Sequence, residues 1–85
     1  MPKTLWSDAQ QALVAALVKA RKEAGLSQAA LAGRLRCQQS LIARIESGER
    51  RIDVVEFVIL TRSTGADASE MLERLATLIP GDAAL

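Results

Sequence analysis

The chain has 85 residues, 49% of them hydrophobic but only 2% aromatic, so one small domain must build its core from Leu, Val, Ile and Ala. It holds no histidine and a single cysteine, Cys37. That excludes an internal disulfide framework and a Cys/His zinc site, and it argues against triad chemistry. The net charge of +1 hides an asymmetry: residues 1–51 carry nine Lys/Arg against four acids, net +5, and residues 52–85 carry two against six, net −4. A basic first part fits a polyanionic partner. The longest apolar stretch, Ala12 to Val18, is far short of the roughly 20 residues a membrane span needs. Ser7, Asp8, Gln10 and Gln11 precede it, unlike the flank of a signal peptide. The expectation is a cytoplasmic module with no membrane segment, no metal, no cofactor and no evident small-molecule ligand, and not an enzyme.

Ser7-Asp8-Ala9-Gln10 reads as a capping box opening a first helix, which runs to about Ala24 and stops at Gly25. Ser27 caps a second helix over about 28–35. A third follows over about 39–47 and ends at Gly48. Asp53-Val54-Val55-Glu56 is a second box, opening a fourth helix closed by Gly65. Asp67-Ala68-Ser69-Glu70 is a third box, and its helix ends before Pro80-Gly81. No stretch alternates with period two for long enough to make a strand. The fold class is therefore all-α, five helices in one domain spanning residues 1–85.

Two positions stand out within these helices. In the first helix Leu13, Val14, Leu17 and Val18 form an apolar stripe, and Arg21 falls in its middle. An unpaired buried guanidinium costs several kcal/mol, so Arg21 calls for an acidic partner on another element, unless its stem packs while its head reaches water. In the second helix Gly33 costs about 1 kcal/mol relative to Ala, with no functional account.

The second and third helices carry the functional signal. Leu31 and Leu35 point inward from one, and Leu41, Ile42 and Ile45 from the other. Only Arg36, Cys37 and Gln38 join them, so the helices must cross steeply, with small Ala32 where the backbones meet. That is the geometry of a helix-turn-helix over about 27–47.

The run Leu26-Ser27-Gln28-Ala29-Ala30-Leu31-Ala32, followed by Ser40-Leu41-Ile42-Ala43-Arg44-Ile45-Glu46-Ser47-Gly48-Glu49-Arg50, resembles the Cro/C1-type (XRE) helix-turn-helix domain of bacterial and phage transcriptional regulators. The resemblance covers about residues 13–72 and implies a five-helix, lambda-repressor-like DNA-binding fold. It also implies that Glu46 pairs with Arg21. The family usually has Gly in the turn where this chain has Arg36, and a non-Gly residue in the left-handed region costs roughly 1–2 kcal/mol.

The outward face of the third helix shows Gln39, Ser40, Ala43, Arg44 and Ser47, with no acid and one Arg. Gln can bond adenine N6 and N7, Arg can fork onto guanine O6 and N7, and Ala43 lets the helix lie close to a thymine methyl. The resemblance implies base readout by residues matching Gln39, Ser40 and Arg44, with Gln38 starting the helix. Ser27 and Gln28, at the second helix's N-terminus, offer backbone N–H groups to a phosphate. Arg36, Arg50 and Arg51 are further phosphate candidates. Cys37 reads as a buried, inert thiol.

These readings point to a sequence-specific regulator of double-stranded DNA, a repressor acting by operator occupancy. A two-fold homodimer on a palindromic operator follows, because one short helix covers too few base pairs to mark a site in a genome. The C-terminal stripe of Met71, Leu72, Leu75, Leu78 and Ile79 is the preferred dimer or partner surface, ahead of Leu5-Trp6. The alternative is a DNA-binding antitoxin that holds a protein partner through that same helix.

Overall fold

The computed structural model describes residues 2–85, with side chains from Asp8 onward. Five helices follow in order: α1 (Pro2–Glu23), α2 (Gln28–Leu35), α3 (Gln39–Glu46), α4 (Val54–Thr64) and α5 (Ala68–Ala76). No strand occurs among the described residues. The all-α, five-helix expectation holds.

The helix boundaries follow from the backbone chemistry at each end. α1 stops at Gly25, which adopts φ 74°. The Leu26 N–H donates to the Arg21 carbonyl at 3.1 Å and the Gly25 N–H to that of Lys22 at 2.9 Å, the paired bonds of a Schellman turn. The Ser27 hydroxyl then accepts from the Ala30 N–H at 3.0 Å and opens α2. At α4 the capping box is complete: Asp53 accepts from the Glu56 N–H at 2.7 Å, and Glu56 accepts from the Asp53 N–H at 2.9 Å. At α5 only half of a box forms. Asp67 accepts from the Glu70 N–H at 3.0 Å, while the Glu70 carboxylate turns to Arg74.

The start of α1 differs from expectation. The helix begins at Pro2 and runs through Ser7, so the Ser7 box is not its start. Proline suits the first helical position, and nothing between Lys3 and Ser7 breaks a helix. The Leu5-Trp6 surface lies outside the described side chains.

Leu17, Leu31, Ala32, Ile42, Phe57 and Leu60 form the core, so every one of α1 to α4 contributes. Leu13, Leu26, Leu35, Cys37, Ile52, Ala68 and Met71 pack around it. α2 lies against α3, and α1 spans α3, α4 and α5. Ala32 is 3% exposed at the α2–α3 crossing, where a larger side chain would push the two helices apart. Val14 and Val18 are only half-buried. They line a groove of about 940 Å³ between α1 and the α3–α4 loop, with Ile45 and Ile52 on the other wall and Lys19, Lys22, Arg50 and Arg51 around it.

The turn between α2 and α3 keeps its left-handed geometry without glycine. Arg36 sits at φ 56°, ψ 42°, the only non-Gly positive φ among the described residues. The Cys37 N–H donates to the Ala32 carbonyl at 3.0 Å and the Arg36 N–H to that of Gly33 at 3.3 Å. The half-buried Cys37 side chain against the core anchors the turn from the far side. Arg36→Gly should therefore stabilise the fold by roughly 1 kcal/mol, since it removes the Cβ strain and an exposed side chain. Gly33→Ala should gain about 0.5–1 kcal/mol, because a Cβ there meets nothing within 4 Å. Urea denaturation of the two single variants measures both, and a loss of stability in Arg36→Gly would mean its side chain holds the turn.

Candidate nucleic-acid interface

One buried polar network fixes the helix-turn-helix on its scaffold. Arg21 of α1 is 8% exposed. Its Nε donates to Glu46 Oε2 at 2.7 Å and its Nη2 to Glu46 Oε1 at 2.9 Å, a two-pronged pairing with the last residue of α3. Its Nη1 donates to the Leu26 carbonyl at 2.9 Å, in the turn that leads into α2. Gln28, the first residue of α2, donates its Nε2 to Glu46 Oε1 at 2.9 Å. Four polar groups from α1, the α1–α2 turn, α2 and α3 thus meet at one point.

Electrostatics there follow from burial set against bonding. Burial pushes the Glu46 carboxyl up, but the hydrogen bonds from Arg21 and Gln28 outweigh it and hold it below the usual glutamate value. The hydrogen bond to Glu46 raises the Arg21 guanidinium further above its ordinary value. No buried side-chain polar atom lacks a partner among the described residues.

The reading candidates lie on the outer side of this locked pair. Gln38, Gln39, Ser40 and Arg44 are exposed and Ala43 is half-buried. Gln38 caps α3 through its backbone only, with no side-chain cap bond. The Ser40 hydroxyl donates weakly to Gln38 Oε1 at 3.4 Å. Arg44 meets Glu49 at 3.8 Å, and both side chains are more than half exposed, so the contact is loose and worth little. These side chains therefore stand ready for an external partner.

The phosphate candidates divide. Arg36 and Arg51 are exposed and make no ion pair among the described residues. Ser27 is occupied as the cap of α2, and Gln28 gives one amide hydrogen to Glu46. Arg50 has a partner within the chain. Its Nη2 donates to Glu56 Oε2 at 2.7 Å and its Nη1 to Glu56 Oε1 at 3.1 Å, and Nη1 also reaches the Arg51 carbonyl. The guanidinium is committed to tying the α3–α4 loop to the first turn of α4. The Asp53–Glu56 box in the sequence already placed a carboxylate beside that loop, which was the available signal. Arg34 donates to the Ser63 carbonyl at 3.1 Å and links α2 to the end of α4.

The C-terminal stripe is divided between the fold and the surface. Met71 packs on the core, and Leu75 and Ile79 are half-buried. Met71, Leu75 and Leu78 line a groove against Ala12, Leu13 and Ala16 of α1. None of the five stripe residues is fully buried, and Leu72 and Leu78 are about half exposed.

Two short helices crossing at a small residue, the second with an open polar face, define a helix-turn-helix domain. The helix-turn-helix domain family matches residues 12–77. A solved structure described as an XRE-family like protein from Pseudomonas syringae pv. tomato str. DC3000 superposes with a TM-score of 0.84 at 40% sequence identity. The match covers 92% of this chain and 95% of that one. The comparison with curated proteins returned no match. The chain belongs to the helix-turn-helix family and is of the XRE type. This makes it a DNA-binding regulator. No helix among the described residues is long and apolar enough to cross a membrane.

The network carries a stability prediction. Arg21→Met alone should cost roughly 3–5 kcal/mol, because Glu46 stays buried without its charge partner. Arg21→Met with Glu46→Leu should cost much less. Because the folded Glu46 value is depressed, its contribution is complete above the ordinary value of 4.5 and is lost as pH falls below it. Acid denaturation followed by circular dichroism should thus show a shallower loss of stability below about pH 4.5 in Glu46→Gln than in wild type. Equal acid slopes would remove Glu46 from the account.

Proposed function

We propose that the protein is a sequence-specific transcriptional repressor that occupies a palindromic operator as a homodimer and blocks polymerase. The observation that carries this reading is the exposed face of α3. Gln39, Ser40 and Arg44 stand on it without an acid among them, above a helix pair locked by Arg21, Glu46 and Gln28. Base readout needs side chains of this kind held on a rigid element, and the loose Arg44–Glu49 contact is easily exchanged for a guanine. Phosphate contact belongs to Arg51, Arg36 and the N-terminal amides of α2, which set register without reading sequence. A single α3 spans about half a dozen base pairs, so two copies related by a dyad would read half-sites about one helical turn apart, roughly 34 Å.

Selection of bound sequences from a random duplex pool, at two salt concentrations, tests the reading directly. A palindromic consensus is expected. Gln39→Ala should cost roughly 1–3 kcal/mol on that consensus and relax preference at one base pair. Arg51→Ala should weaken all duplexes alike and shallow the salt slope by about one unit. Arg50→Ala separates the loop roles: because its guanidinium is held by Glu56, it should lower stability while leaving the selected motif unchanged. An unchanged consensus in Gln39→Ala would show that the α3 face does not read bases.

A further inference from the structure

We propose that the groove between α1 and the α3–α4 loop is a docking site for an acidic amphipathic helix of a partner protein. Nothing in the groove depends on the DNA reading above: of the residues assigned there to DNA, only Arg51 lines it.

The α1 wall of the groove runs from Gln10 to Glu23, about 20 Å at 1.5 Å per residue. Val14, Val18 and Lys22, one helical turn apart, form a ridge along it, with Leu13 and Leu17 alongside. Ile45, Ser47, Gly48 and Ile52 make the opposite side. Val14 and Val18 come from the middle of the apolar stripe of α1, yet both stay half-buried, as does Ile52. A trough of this length takes roughly three to four turns of a second helix laid beside α1, the ridges of one fitting between those of the other. Of α3, only Ile45 and Glu46 line the groove, so an occupant there leaves Gln39, Ser40 and Arg44 uncovered.

The charges lining the groove set the chemistry of its occupant. Lys19, Lys22 and Arg51 are exposed and make no ion pair among the described residues. Glu23 is the only acid with them that is likewise unpaired, since Glu46 is held by Arg21; Arg50 is held by Glu56. Free cations beside apolar walls match a helix with an apolar stripe for the walls and Glu or Asp on its flanks for the cations. A phosphate backbone would meet the cations but leave Val14, Val18 and Ile52 in water. A neutral helix would cover the walls and leave the cations unmatched. On α1, Lys19 and Lys22 lie toward one end of the groove and uncharged Gln10 and Gln11 toward the other, so the acids of the partner gather at one end. The second groove, between α1 and α5, lacks this character: it is about 350 Å³, and Lys19 and Arg74 are offset there by Glu23, Asp67 and Glu70.

Selection from a displayed library of helical peptides, roughly 16 residues long, with the whole protein as target, tests this at low and high salt. Enriched peptides should carry an apolar stripe at i, i+3, i+4 and i+7 flanked by Glu or Asp, and should bind less tightly as salt rises. Val14→Gln with Val18→Gln should weaken their binding at least about tenfold. Lys19→Gln with Lys22→Gln should weaken it about threefold or more and flatten the salt dependence. Glutamine suits a helix, and circular dichroism checks that both variants fold. Should the valine variant fail to fold, the lysine variant decides, because both of its positions are exposed. Leu72→Glu with Leu78→Glu, on the C-terminal stripe, should leave peptide binding unchanged. No enrichment, enrichment of basic peptides, or binding that survives both groove variants would overturn the proposal. So would self-association of the free protein in sedimentation that the groove variants abolish, which would put a second copy there instead.

Discussion

The pairing of Arg21 with Glu46 is the constraint on which the arrangement of α2 and α3 depends. A helix-turn-helix built from two eight-residue helices has little surface to bury, and neither helix is stable alone. Apolar packing of Leu31, Ala32 and Ile42 drives the association but is non-directional. The fork from Arg21 is directional: it meets the last residue of α3 in one orientation and reaches the Leu26 carbonyl with its remaining nitrogen. Gln28 adds the start of α2 to the same carboxylate. The entry to α2 and the exit from α3 are held at one point, so the outer face of α3 has a fixed height above α1.

A second Arg–Glu fork does a related task nearer the surface. Arg50 holds Glu56, and Glu56 also completes the cap of α4. The two forks lie on either side of the α3–α4 loop. The inner one is nearly dry, and the outer one keeps about a third of each side chain exposed. The outer pair is screened and weaker by itself, so its effect comes from sharing a carboxylate with a helix cap. Arg51, next to it, is free among the described residues to face outward. Charge type alone did not separate these neighbours. The distinction lies in which of them can reach Glu56.

What was legible in the sequence, and what was not, divides along physical lines. Features fixed by local chemistry were readable: the Gly25 and Gly65 stops, the Ser27 cap, the Asp53–Glu56 box and the small residue at the crossing. The misplaced guanidinium in the α1 stripe was readable because burying it alone is too costly. The features that escaped depend on how elements meet. The start of α1 lies before the Ser7 box because a proline can open a helix as well as a capping serine can. How far the apolar stripe of α5 faces outward was not readable, because the sequence does not show that α5 packs against both α1 and α4. The outer face of α4 escaped for the opposite reason. A run such as Val54 to Leu60 reads as core, and only the packing shows that one side of it meets nothing.

The two sides of α3 are divided between the fold and the solvent. On α3, Ile42 and Ile45 are buried and Glu46 belongs to the ionic network, whereas Gln39, Ser40 and Arg44 make only weak contacts within the chain. An eight-residue helix has about two turns, so each turn presents one side to the core and the other to solvent. Substitution on the outer side leaves the core and the fork untouched and costs little in folding. The same separation explains the strained Arg36. Its left-handed backbone costs a little stability at the turn, where a glycine would serve better, but it places a cation near the start of α3. The turn tolerates that cost because Cys37 and the bonds to Ala32 and Gly33 hold the backbone from within the fold. The rigidity that presents α3 thus comes from buried groups, and under the proposed reading the outward residues are left free to define what is read.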